Sequence, residues 1–144
     1  MTRLLPASWA PYLLSALRIV AALLFLTHGT QKLFGVPAAE PRQPVELLSL
    51  AGLAGTLETV GGLLLLVGLF TGPVALVLAA EMAAAYLMAH APRNAWPLLN
   101  GGEIAVLYGL AWLYLAAAGP GPWSLDALRQ ERSPDRRTER RLAA

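Results

Sequence analysis

A few side chains in a very apolar chain could do chemistry: Arg18, His28, Lys32, Glu58, Glu81, His90 and Glu103. The first three lie inside one apolar run, Leu13 to Phe34. At 100° per residue, Lys32 falls about 40° from Arg18, and His28 lies about 40° beyond Lys32. They share a helical face whose opposite side is aliphatic. Such cationic or titratable groups could hold an anion, donate hydrogen bonds or pass protons, and the carboxylates could balance them. A charged group in a membrane-length helix is costly and normally faces protein or water. The run therefore needs partner helices.

The rest of the chain supplies them. It has 144 residues, 56% hydrophobic and 14% charged, with mean hydropathy +0.53. That composition fits an integral membrane protein of one domain. The absence of cysteine excludes disulfides, thiolate metal sites and thiol redox chemistry by this chain itself. The N-terminal apolar run is too long for the core of a cleavable signal.

Helical stretches are expected over about 11–34, 45–70, 73–90 and 101–118. Gly35 and Pro37 stop the first, Thr71-Gly72-Pro73 is read as a tight turn, and Gly119-Pro120-Gly121-Pro122 ends the fourth. Each stretch approaches the roughly 20 residues that cross a ~30 Å hydrocarbon core. The expected fold is all-α, an antiparallel transmembrane four-helix bundle over 1–128. Ser124 should cap a short interfacial helix, and 129–144 should form a disordered basic cytoplasmic tail. Six of the eleven cationic residues are arginines in those last sixteen positions. The positive-inside rule then puts both termini in the cytoplasm and the 35–45 and 91–99 loops outside. Arg42 and Arg93 run against that orientation. The terminal arginines suit orientation and anionic lipid rather than nucleic acid.

Depth along the helices suggests pairings. At ~1.5 Å per residue, Arg18 and Glu81 fall at similar heights above the cytoplasmic ends, which predicts a structural Arg18–Glu81 ion pair. Gly55, Glu58 and Gly62 share a stripe that lets a neighbouring helix approach beside the carboxylate. His28, Gln31, Lys32, Glu58, Asn100 and Glu103 are the candidates for a polar cavity in the outer half, joined by His90, Tyr86 and Tyr108. Asn100 and Glu103 also fit a capping box, and Lys32 also fits snorkelling to the outer headgroups. Two histidines without a spacing motif do not make a metal or haem site. A Gly and Ala stripe on the second and third helices would permit a homo-oligomer.

The pattern resembles the DoxX family of small four-helix membrane proteins. The resemblance rests on LRIVAALLFLTHGTQKLFG, LETVGGLLLLVGLFTGPVAL and NGGEIAVLYGLAWLYLAAAGPGPWSLD, over roughly residues 13–128. Its polar motif positions correspond to Arg18, His28, Gly29, Gln31, Lys32, Glu58, Asn100 and Glu103, with Glu81 a weaker match. Members resemble the small subunit of a thiosulfate:quinone oxidoreductase, and a mycobacterial relative is placed in a membrane-associated oxidoreductase complex. More distant relatives include a cargo receptor and a receptor-assembly chaperone. The resemblance implies a plasma-membrane subunit beside a redox enzyme partner, with no intrinsic cofactor and a quinone as the expected ligand. His28 or Lys32 would donate to the quinone oxygens, and Glu58 or Glu103 would relay protons. The alternative it implies is a non-enzymatic assembly factor or scaffold.

Overall fold

A computed structural model describes residues 4–37 and 44–132. All regular structure among them is helical. After a 3₁₀ turn at Ala7–Trp9 come α1 (Ala10–Phe34), α2 (Leu50–Val67) and α3 (Thr71–Ala85), which continues as a π-helical turn, Tyr86–His90. Short α4 (Pro97–Asn100), α5 (Glu103–Ala118) and α6 (Leu125–Arg132) follow. Among the described residues three helical segments are long and apolar enough to cross a membrane: Ala7–Phe34, Leu50–Val67 and Thr71–His90. The apolar α5 has 16 residues and is shorter.

The second helix is shorter at both ends than the expected 45–70. Ser49 is its N-cap, its hydroxyl accepting from the Gly52 amide at 3.0 Å. At the other end Gly68 takes a left-handed conformation, φ +69°, and stops the helix before Phe70. Thr71-Gly72-Pro73 is therefore the first turn of α3 and not a connecting turn. Proline is tolerated there because the first amides of a helix have no intrahelical acceptor.

The helices associate mainly as two pairs, α1 with α2 and α3 with α5, joined through α2 and α3. Glycine sets the first pair. A Cβ at Gly29 would lie 2.6 Å from the Thr59 amide nitrogen and 2.9 Å from the Gly55 carbonyl oxygen. Gly55 and Gly62 face Lys32 and Leu26 of α1, so the expected close approach beside Glu58 is made by α1. Across the wider α1–α5 seam, rings fill the gap. Phe25 meets Tyr108 and Trp112 edge-on at 5.0 and 5.2 Å. Phe25, Leu65, Leu78, Trp112 and Leu115 are fully buried there. Leucines on the outer faces, such as Leu23, Leu63 and Leu110, are exposed and suited to lipid.

Candidate functional site

The buried charges lie at two levels of the molecule. At the level where α2 and α5 end, Arg18 is completely buried. Its guanidinium donates to the carbonyls of Leu65, Leu66 (2.8 Å), Pro120 (2.9 Å) and Trp123. These carbonyls stand at or just beyond the C-terminal ends of α2 and α5, where unpaired acceptors and the negative end of the helix dipole gather. The planar fork of arginine suits such a spread of acceptors.

The expected Arg18–Glu81 pair is corrected by this arrangement. Its depth estimate placed the starts of α1 and α3 level. In the structure α1 extends two turns past the others: Ser15 accepts from the Trp123 amide at 3.2 Å, and Arg18 is level with the end of α2. Glu81 stands ten residues up α3 from Thr71, about 15 Å higher. It lies one turn from Leu78, which packs on Gly61 of α2, itself one turn from Glu58.

The chain after α5 completes this lower level. Ser124 caps α6 through the Ala127 amide at 3.1 Å, as expected from the sequence. Asp126 reaches across to the start of α3, accepting from the amides of Phe70 at 3.0 Å and Thr71 at 2.8 Å. Its own amide donates to the Gly68 carbonyl at 2.9 Å. Burial raises its carboxyl pKa, but the Thr71 and Phe70 amides and the charge of Arg129 outweigh that and hold it below the usual range. Arg129 in turn lies over the Phe70 ring at 5.1 Å. Asp126 was not among the sequence candidates. Its signal was the SLD ending of the third motif, which the sequence alone assigned only to a short interfacial helix.

Farther along the helices, Lys32 of α1 forms an ion pair with Glu58 of α2. Glu58 is 3% exposed and Lys32 34%. Glu58 Oε2 and both carboxylate oxygens of Glu81 are buried without a hydrogen-bond partner among the described residues. These three residues are the polar centre of the helix interior.

The other candidates do not join them in one cavity. His28 is exposed on the α1–α5 seam, its ring edge-on to Tyr108 at 6.0 Å. Gln31 is spent on the loop, donating to the Pro37 carbonyl at 2.9 Å. Asn100 is buried and organises the opposite rim. It donates to the Asn94 carbonyl at 2.8 Å and accepts from the Gly102 amide at 2.7 Å. His90 Nδ1 lies 3.1 Å from the Asn100 carbonyl, and its ring stacks on Tyr86. The expected capping box is not the one observed. The N-cap of α5 is Gly102, without a side-chain bond, and Glu103 is exposed in the first turn. There an acid still suits the positive helix end.

A groove of about 490 Å³ between α3 and α5 is lined by apolar side chains such as Leu76, Ala83, Gly109 and Leu113, with Tyr86 at its polar end. It contains none of the six cavity candidates.

Comparison with known proteins agrees with this membrane-helix reading. An uncharacterized protein of Haemophilus influenzae is 39% identical over 127 residues, covering 82% of this chain and 91% of that protein. An uncharacterized membrane protein of Mycobacterium tuberculosis is 30% identical over 157 aligned positions, covering 86% and 85%. No solved structure matches. The DoxX family model matches residues 13–91, from the run that carries Arg18 and Lys32 to the end of the third long helix, and the chain belongs to the DoxX family.

Proposed function

We propose that this protein is the membrane subunit of an oxidoreductase complex and meets a quinone at the α1–α5 seam. The observation that carries the reading is the Lys32–Glu58 ion pair with Glu81, set inside otherwise apolar helices. Intramembrane charge of this kind is expensive and by default functional. His28 and Tyr108 stand side by side on the lipid-facing seam, and their ring N–H and phenol O–H are donors that fit the carbonyl oxygens of a quinone. A bound quinone would supply two-electron, two-proton chemistry. His28 and Tyr108 would orient it from the bilayer side, Glu58 would exchange protons with that region, and a partner enzyme would supply the electrons.

The same reading has α5 cross the bilayer as a fourth, shorter span, with both termini at the cytoplasmic face of the plasma membrane. Arg129 and Arg132 in α6 support that orientation by the positive-inside rule. Labelling of single cysteines at Asn94→Cys and Ala127→Cys tests it, because the natural chain has none.

Titration of the purified protein with a short-chain ubiquinone and a short-chain menaquinone tests the function. Saturable binding weakened at least tenfold by His28→Ala is expected. Absence of saturation with either, or binding indifferent to His28→Ala, refutes the quinone site. The scaffold alternative draws on the α3–α5 groove, whose Ala79, Ala83, Ala105 and Gly109 would admit a partner helix closely. Crosslinking in native membranes separates the two: one dominant redox enzyme supports the first, assorted clients the second.

A further inference from the structure

Lys32, Glu58 and Glu81 come from three different helices. Gly61 of α2, one turn from Glu58, packs on Leu78 of α3, one turn from Glu81, so the two carboxylates stand at the same α2–α3 contact. Lys32 takes Glu58 Oε1 and, among the described residues, leaves three carboxylate oxygens, Glu58 Oε2 and both of Glu81, without a donor. One ammonium and two carboxylates, all ionised, leave a net charge of minus one. Among the described residues no other charged group faces this region to balance it. From α1 the next titratable residue is His28, exposed on the seam. From α5 it is Tyr108, against the His28 ring. Farther along α3, Tyr86 accepts from Asn100. Arg18 is committed to carbonyls at the other end.

An unbalanced charge in such a place costs several kcal/mol, and a buried group neutralises itself by exchanging a proton instead. We propose that Lys32, Glu58 and Glu81 form a proton-binding site in which the two carboxylates hold one proton between them while Lys32 keeps its own. Uptake of one proton from water takes the cluster from minus one to zero, with no bond change elsewhere. Lys32, a third exposed, marks the side from which the proton enters. A hard metal cation fits less well. Calcium and magnesium take six or more oxygens. Here three carboxylate oxygens are free, and an ammonium already occupies the fourth. The charge count does not depend on a quinone, so failure of the quinone titration leaves it standing.

Infrared spectroscopy of the full-length chain in detergent micelles at neutral pH reads the proton directly, through the C=O stretch of a protonated carboxylic acid and its shift in D₂O. The wild-type protein should show one such band. Glu81→Gln and Glu58→Gln should each abolish it, because one carboxylate then balances Lys32. Lys32→Met should double it, because both carboxylates must then be neutral. A wild-type protein without the band overturns the proposal, and this result needs no variant to fold. So does a band that survives unchanged in both glutamine variants, or one that disappears when sodium replaces potassium in the buffer.

Discussion

Two levels of this helix assembly treat buried charge in opposite ways. Around Arg18, charge and acceptors are matched: four carbonyls close on one guanidinium, and Asp126 closes on two amides nearby. Around Glu58 and Glu81, three carboxylate oxygens are left without donors among the described residues. A fully satisfied polar network fixes one arrangement of the helices, whereas a partly satisfied one costs stability at every unmatched atom. The difference separates a latch from a site. Arg18 holds the ends of α2 and α5 and the start of α6 against α1. The Lys32–Glu58–Glu81 cluster contributes little that a well-packed apolar interior would not.

Removing Arg18 should break that comparison most severely. Arg18→Ala strands buried carbonyls at the ends of two helices and leaves a void beside Gly68, where a Cβ would already lie 2.9 Å from the guanidinium carbon. The expected loss is about 3–5 kcal/mol, the range for breaking a buried charged network. It should appear as a collapse of the monodisperse peak and of the melting temperature in one detergent. Arg18→Lys should recover only part of the loss, since an ammonium is a point donor and cannot span acceptors from three segments. If Arg18→Ala melts like the wild type, the Arg18 level is not a latch.

Much of this contrast was legible in the chain, and the rest was hidden for identifiable reasons. The helices, the αL stop at Gly35 and the Ser124 cap follow from local chemistry that neighbouring residues dictate. The role of Gly55 and Gly62 as a contact beside Glu58 follows from helical periodicity. The partner of Arg18 does not. Rise per residue gives height only relative to a chosen zero, and the zero shifts when one helix overshoots its neighbours, as α1 does. Backbone carbonyls at a helix end also carry no signature in residue type, so a search for side-chain counter-charges finds Glu81 and overlooks Leu65 and Pro120. Lys32 and Glu58 met, and the other four cavity candidates scattered for a related reason. Gln31 and Asn100 have backbone groups of adjacent loops within reach, and those bonds cost less ordering than a distant cluster would.

An apolar replacement at the other level should change stability in the opposite direction. Glu81 brings two unmatched oxygens into the interior, and each unsatisfied buried polar group carries a penalty. Glu81→Leu should therefore raise stability by about 1–3 kcal/mol, measured as melting temperature in the same detergent. A functional site held at the expense of stability behaves this way. Lowered stability in Glu81→Leu would mean that Glu81 has structural partners after all, and the two levels would then differ in degree only.

The smallest effect belongs to Asp126, and it sharpens the latch through its pH dependence. The carboxylate accepts from the first amides of α3, where the helix dipole favours negative charge. Asp126→Asn keeps one acceptor, loses the charge and turns an amide donor toward a backbone N–H. The cost at neutral pH should be about 0.5–1 kcal/mol. The folded-state pKa is depressed, so this contribution is fully present above the ordinary aspartate value of about 4 and fades as the pH falls through the lower folded value. The melting-temperature gap between wild type and Asp126→Asn should thus be constant from neutral pH down to about pH 5 and narrow below that. A gap that stays the same under strong acid would show that the carboxylate at α3 acts through shape alone. The electrostatic half of the latch would then rest on Arg18.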